Sequence, residues 1–295
     1  MNDQTVTASR VPSGGPGVPL LSALTLEETG PGRYRATNVP SEQRAVIFGG
    51  QLLGQLALAA AETVGTKSVR SIQALFARAG SVTRDLAIRT EVVHDGRTMG
   101  SVLTRAHQGD RTLCTGLVLL DTEEPDLIRH AEVMPAVPDP EGAEPVEAEH
   151  GSELRLVGGR AILSAEHTGP AEVHAWARFP CAPRGAADLH RALLCWYTDG
   201  LLIGTAMRPH PLGQDMAHQA VSTGVLTHTI TFHEECDASE WMLITQKSTY
   251  AGNGRCYGTG AVFTASGVLL ASFAQEGMIR AFPPGRPRGG TSMTM

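Results

Sequence analysis

Paired cysteines, basic clusters and common enzyme signatures are all missing from this chain of 295 residues. The five cysteines are scattered and odd in number, with no C-x-x-C pair and no histidines at metal-ligand spacing. We therefore expect reduced thiols, a cytoplasmic location and no metal ion. Lys and Arg number 24 against 30 Asp and Glu, a formal net charge of −6, so we expect no nucleic-acid partner.

Four motifs that define large enzyme classes are also absent. The chain has no G-x-S-x-G nucleophile elbow, no P-loop, no H-E-x-x-H and no G-x-G-x-x-G after a strand. Elbow-type serine hydrolases, P-loop NTPases, zinc metalloproteases and Rossmann dehydrogenases therefore lack their defining residues here.

The most informative stretch is the glycine pair Gly49-Gly50 with the apolar segment 52–64 behind it. Good helix formers that are hydrophobic nearly all round predict a helix buried on most faces. About ten consecutive apolar residues fall well short of the roughly twenty that cross a bilayer, so we expect no membrane insertion. The glycines either let a ligand approach the first N–H groups of this helix or only allow tight packing under a sheet.

A repeated order of elements follows. After a strand, turn and strand over residues 20–38, the first half predicts the helix and then strands over 68–76, 86–93, 99–108 and 112–120. In the second half, strands over 154–163 and 171–179 precede a helix over 189–203, and strands over 225–234, 241–248, 256–264 and 268–279 follow. A Pro-, Glu- and Ala-rich segment separates the halves, with a short helix over 126–133 as an alternative.

The repeat predicts an α+β double hotdog, in which each repeat is a long central helix wrapped by a curved antiparallel sheet. The predicted units are a disordered tail (1–19), a first repeat (20–121), an acidic linker (122–152), a second repeat (153–282) and a second disordered tail (283–295). The first tail lacks the pattern of a secretion signal. Because an unclosed sheet leaves edges, we expect a homodimer or homotetramer.

Two polar residues interrupt apolar elements of the second half. Asp199 lies inside the predicted helix, where a buried carboxylate requires partners or a function; the alternative is that it faces a polar rim or caps a break at Gly200. Gln275 lies near the end of an apolar strand, where a neighbouring backbone group is the simplest partner. In the first half, Gln51 and Gln73 are weaker examples of the same feature.

At this point the chain resembles the type II acyl-CoA thioesterase family, a double-hotdog group. The resemblance covers residues 20–281 and rests on an ordered series of stretches: Phe48-Gly49-Gly50-Gln51, Phe76, His94-Asp95-Gly96-Arg97, Tyr197-Thr198-Asp199, Pro209-His210, Thr227-His228-Thr229-Ile230-Thr231-Phe232-His233, Glu240-Trp241 and Gln275-Glu276-Gly277-Met278-Ile279-Arg280. It implies hydrolysis of an acyl thioester, on CoA or on acyl-carrier protein, in lipid or polyketide metabolism and without a cofactor.

The resemblance also implies site residues. The family orients a water with an Asp, a Ser or Thr hydroxyl and a Gln; Asp199 and Gln275 match two of these, whereas Val225 occupies the hydroxyl position. Strand alternation predicts that Thr227 shares the face of Val225, about 7 Å further along, and supplies a displaced hydroxyl. The remaining candidates are substrate-binding residues: Gly49, Gly50, Gln51, Gln73, Val225 and His228.

Two other functions remain open at this point. One is a non-hydrolytic acyl-thioester enzyme on the same scaffold, a dehydratase or cyclase. The other is a binding protein that keeps the pocket but has impaired catalysis.

Overall fold

The computed structural model describes residues 18–41, 45–148, 150–217 and 220–282. The helices and strands of the first half are α1 Val18–Ala23, β1 Glu27–Gly30, β2 Arg33–Ala36, α2 Gly49–Val64, β3 Ser68–Phe76, β4 Leu86–Asp95, β5 Met99–Gln108 and β6 Arg111–Asp121. Those of the second half are β7 Glu144–Val146, β8 Glu153–Leu156, β9 Glu172–Arg178, α3 Ala187–Thr198, α4 Leu202–Met207, β10 Val221–Phe232, β11 Met242–Gly252, β12 Arg255–Thr264 and β13 Leu269–Ala281.

All strands belong to one antiparallel sheet of 13 strands, in the order β1-β2-β4-β5-β6-β3-β10-β13-β12-β11-β9-β8-β7. The halves join where β3 pairs with β10, with Ile72 opposite Ile230. The helices α2 and α3 pack against each other. This arrangement confirms the predicted double hotdog.

Helix α2 is the core element that its sequence predicts. Every residue from Gly50 to Ala61 is buried, and the helix ends at Gly65, whose φ of 72° lets its N–H donate to the carbonyl of Ala61. A Cβ at Gly50 would lie 2.8 Å from Trp196 Cα, and one at Gly54 would lie 2.9 Å from the Ala192 carbonyl oxygen. These two glycines allow the backbone of α3 to approach closely.

The predicted helix over 189–203 is interrupted. Helix α3 ends at Thr198 with Asp199 as its C-cap, Leu201 adopts a left-handed φ of 64°, and α4 then begins at Leu202. Gly200 and the left-handed Leu201 end the first helix because this backbone conformation cannot continue an α-helix. Asp199 therefore lies at a break between two helices rather than inside one helix.

Several other boundaries differ from the sequence-based expectation. Residues 20–38 begin with part of α1 before the expected strand, turn and strand. The predicted strand 154–163 ends at Leu156, because Gly158 and Gly159 have left-handed φ values of 85° and 82°, and a 3-10 turn at Arg160–Leu163 follows. The alternative helix over 126–133 is not formed.

The division of the chain into two repeats, a linker and two tails stays a prediction. Within the predicted linker, β7 pairs with β8 and so belongs to the edge of the second half's sheet. The linker also covers the outer face of that half: Met134, Val137 and Ala143 pack against Trp176, and Trp176 Nε1 donates to the Pro138 carbonyl over 2.9 Å. The predicted tails lie outside the described residues, except that residues 18 and 19 begin α1. No described helix is both long and apolar enough to span a membrane.

Candidate active site

A cavity of about 610 Å³ lies between the two halves. The first half contributes mainly apolar and small residues, which include Phe48, Gly49, Leu52 and Phe76. The second half contributes Asp199, the polar residues Gln214, Thr223 and Gln246, and the apolar residues Leu201, Ile203, Val225 and Ile244. Asp199 lies in the wall where the start of α2 meets the end of α3.

A buried hydrogen-bond network surrounds Asp199. Gln275 Nε2 donates to Asp199 Oδ1 over 2.9 Å, and the same nitrogen lies 3.2 Å from His228 Nδ1. His228 Nε2 lies 3.2 Å from Thr198 Oγ1. Gln275 and His228 pair directly across β13 and β10, which is why their side chains lie on the same face. The network therefore joins β10, β13 and the end of α3.

The protons of this network can be assigned from its partners. Burial lowers the pKa of His228 to about 3, so the ring is neutral at physiological pH and its 3.7 Å contact with Asp199 is not an ion pair. Thr198 Oγ1 donates to the Cys195 carbonyl and can accept the Nε2 proton of His228. His228 Nδ1 then accepts one amide proton of Gln275 while Asp199 accepts the other.

This assignment fixes the amide of Gln275. Both of its N–H groups have acceptors, and its Oε1 is buried with no hydrogen-bond partner among the residues that the structure describes. A buried amide oxygen without a partner is costly, so a bound water is a fitting partner for it, although Gln275 does not itself line the cavity.

Gly49 keeps the carboxylate of Asp199 close to the first turn of α2. A Cβ at this position would lie 2.6 Å from Asp199 Oδ2 and 3.2 Å from Phe76 Cε1, so any side chain would displace one of them. The positive end of the α2 dipole favours a negative charge at this point. The two glycines therefore differ in what they allow. Gly49 allows the Asp199 carboxylate to approach the start of α2, and Gly50 allows α2 to pack closely against α3.

Comparison with known proteins agrees with this fold. The family model described as the acyl-CoA thioesterase N-terminal domain matches residues 38–120, and the model for the C-terminal domain matches residues 129–279. The chain belongs to the acyl-CoA thioesterase family. This membership places it among the thioester hydrolases.

Relatives in this family are distant but cover nearly the whole chain. Mouse acyl-coenzyme A thioesterase 8 is 27% identical over 89% of this chain and 89% of its own length. Acyl-CoA thioesterase 2 of Haemophilus influenzae is 26% identical over 79% of this chain and 87% of its own length. Among solved structures, the acyl-CoA thioesterase II TesB2 of Mycobacterium marinum is similar with a TM-score of 0.76 and 27% identity, over 91% of this chain and 99% of that one.

Position 225 lacks the hydroxyl that the family resemblance implies. Val225 lines the cavity, but its side chain carries no polar atom. The prediction that Thr227 shares its face is wrong, because the register with β13 shifts by one residue between Val225, opposite Gly277, and Thr227, opposite Glu276. This β-bulge at Leu226 turns Thr227 to the outer face, where it pairs with the exposed Leu75.

Two predicted substrate-binding glutamines also lie away from Asp199. Gln73 is exposed on the outer face of β3, opposite Thr229, because period-two alternation separates it from the inward-facing Ile72 and Ala74. Gln51 is buried but structural: its Oε1 accepts from the Val39 N–H over 3.1 Å, and its Nε2 donates to Asn38 Oδ1 over 2.9 Å. Neither residue joins the network of Asp199, Gln275 and His228.

Sequence reasoning missed several polar residues near the site. Thr198 belongs to the buried network, whereas the others line the cavity: Arg78, Glu147, Ser152, Gln214, Asp215, Thr223 and Gln246. Thr223 precedes Val225 by two residues in β10, so strand periodicity read toward the N-terminus would have indicated it. Gln246 is a polar residue in the apolar start of β11, the same signal that singled out Gln275.

Proposed function

We propose that this protein hydrolyses the thioester bond of an acyl-CoA with a water activated by Asp199. The observation that carries the proposal is a buried carboxylate at a cavity between two hotdog halves, held by Gln275 and next to the first turn of α2. Membership of the acyl-CoA thioesterase family supports the choice of substrate, with an acyl-carrier-protein thioester as the second substrate class.

The proposed reaction uses residues of this chain alone. Asp199 accepts a proton from the water while the water oxygen attacks the thioester carbonyl, and the oxyanion is stabilised by backbone N–H groups at the start of α2. Gln275 Oε1 accepts the second hydrogen of the water. The tetrahedral intermediate then breaks its C–S bond, and the thiolate of CoA takes the proton from Asp199. The products are a carboxylic acid and free CoA.

The supporting residues have positioning roles in this proposal. Gln275 holds Asp199 Oδ1, and His228 in turn accepts the second N–H of Gln275, which fixes the orientation of the amide. Thr198 holds the other side of the His228 ring. Because His228 is neutral and fully buried, it acts through Gln275 rather than on the substrate.

The missing hydroxyl predicts a slow enzyme. One oriented hydrogen-bonding group at a hydrolytic centre contributes on the order of a hundredfold in rate, or about 3 kcal/mol. Val225 cannot supply it, and Thr227 lies on the other face of the sheet. Thr223 does line the cavity, but it lies two residues before position 225 in β10.

Release of free thiol from a panel of acyl-CoA thioesters tests the proposal. We expect wild-type protein to release CoA from at least one thioester, and Asp199→Asn to lose that activity while still binding the substrate. Wild-type protein that binds acyl-CoA but releases no thiol would favour the impaired binding protein instead, for which the apolar Val225 is the supporting observation. A dehydratase is less favoured, because His228, the ring nearest Asp199, is neutral and fully buried, and Thr198 and Gln275 occupy its two ring nitrogens.

We also propose a homodimer or homotetramer in the cytoplasm. The sheet is open, ending at β1 and β7, and the outer face of the first half exposes Leu75, Val93 and Leu117. Five free cysteines are consistent with a reducing compartment. Light scattering that gives the mass of a monomer would exclude the oligomer.

A further inference from the structure

Gln246 is a buried polar residue of the cavity that the proposed hydrolysis does not use. It lies on β11 and faces the cavity together with Ile244, and only 3% of its surface is exposed. Its Oε1 has no hydrogen-bond partner among the residues that the structure describes. Gln214 lines the same cavity, and its buried Oε1 likewise accepts no hydrogen bond from the described residues.

The position of Gln246 relative to the reacting centre follows from the sheet register. Gln246 pairs with Gly260, which pairs with Phe273, two residues before Gln275 on β13. Strand spacing and rise place its Cα on the order of 12 Å from that of Gln275. Gln246 therefore lies two strands away from Gln275, and the proposed hydrolysis uses no group at its position.

The charge of the cavity wall indicates which part of the substrate lies there. Arg78 is the one cation among the described lining residues, beside the acidic residues Glu147, Asp199 and Asp215. It is exposed and follows the end of β3. Strand β11 is four strands away in the sheet order, or roughly 19 Å along the sheet. The phosphates of CoA are favoured at Arg78, so the acyl chain extends from Asp199 toward β11.

A saturated acyl chain would leave the buried Oε1 of Gln246 against hydrocarbon, without a partner. Such a group is costly, whereas Leu at the same position would contact a plain chain favourably. An amide offers both a donor and an acceptor, and a hydroxyl uses both because it donates and accepts. We propose that Gln246 binds a hydroxyl group on the acyl chain of the substrate, several carbons from the thioester carbonyl. The protein then prefers hydroxylated acyl thioesters, an inference that rests on the proposed function.

Paired substrates test this preference. We would measure kcat/KM for a straight medium-chain acyl-CoA and for its mono-hydroxylated isomers, with wild-type protein and with Gln246→Leu. Wild type should have a higher kcat/KM for one hydroxylated isomer than for the plain chain. In Gln246→Leu this ratio should fall about tenfold, because kcat/KM rises for the plain chain and falls for the hydroxylated one. Gln73→Leu, the same change on the exposed outer face, should leave the preference unchanged. Gln246→Met repeats the measurement if the Leu variant folds poorly.

The outcomes separate this inference from the proposed function. The inference would be overturned if Gln246→Leu lowered kcat/KM equally for plain and hydroxylated thioesters and also weakened inhibition by free CoA. That result would place Gln246 against the pantetheine arm of CoA. An unchanged preference in Gln246→Leu would also overturn it, while hydrolysis would still stand. If wild type hydrolyses none of the thioesters, the proposed function fails. Calorimetric binding of the plain and hydroxylated acyl-CoAs to wild type and to Gln246→Leu then still decides whether Gln246 recognises the hydroxyl.

Discussion

Gln275 donates a 2.9 Å hydrogen bond to the carboxylate of Asp199 across 76 residues of chain. The bond joins the last strand of the sheet to the end of α3, and it orients a carboxylate that helix α2 approaches from the other half. The candidate catalytic group is therefore held by both halves of the fold, and each part of this arrangement can be changed separately.

Asp199→Asn should reduce hydrolysis at least a hundredfold without unfolding the protein. The amide keeps the shape of the carboxylate but cannot accept a proton from water, so the loss should appear in kcat. Thiol release and circular dichroism measure the two properties. Wild-type turnover in this variant would make Asp199 a structural helix cap.

Gly49→Ala should lower kcat by about tenfold or more, since its Cβ would lie 2.6 Å from Asp199 Oδ2 and move the carboxylate. A matched control is Gly100→Ala on β5, where the nearest atom to the new Cβ, Lys67 Cδ, is 3.5 Å away. Steady-state kinetics should show the loss in the first variant alone. Equal activity of both would mean that the approach of Gly49 to Asp199 has no part in catalysis.

Val225→Thr should raise turnover of a simple acyl-CoA by up to about a hundredfold, because it places a hydroxyl at the position that the family resemblance implies. Thr227→Val should have little effect on any substrate, since Thr227 lies beyond the bulge on the outer face. Kinetics of the two variants on one substrate panel make the comparison. A loss in Thr227→Val with no gain in Val225→Thr would contradict the assignment of faces.

His228 should make folding stability depend on pH. Its pKa is about 3 in the folded protein against an ordinary value of 6.5, so the unfolded chain binds an extra proton as the pH falls below 6.5. The contribution of His228 to the free energy of unfolding is fully present above pH 6.5. It is lost as the pH falls toward 3, with a slope of up to about 1.4 kcal/mol per pH unit. His228→Gln should show a smaller decrease in thermal midpoint between pH 7.5 and pH 5 than wild type. An equal decrease in both proteins would show that His228 is not buried in its neutral form.

The repeat was readable from sequence because local patterns determine it. Apolar residues on nearly every side of 52–61 indicate a core helix. Alternating residue types between Gly- and Asp-containing turns indicate strands such as β5, whose predicted bounds of 99–108 agree with the structure. Asp199 and Gln275 were detectable for a related reason: a polar residue in an apolar element has to be explained by a partner or a function.

The faces and partners of the site residues were decided by tertiary structure. A single extra residue at Leu226 reverses strand alternation, so Thr227 leaves the cavity that Val225 lines. Periodicity cannot detect such a bulge, since pairing with β13 and β3 creates it. The break after Asp199 likewise depends on packing, because Leu201 holds an unfavourable left-handed conformation that the surrounding contacts must stabilise. Sequence by itself thus determined which elements form and which polar residues are unusual, and the pairing of strands determined which of them meet Asp199.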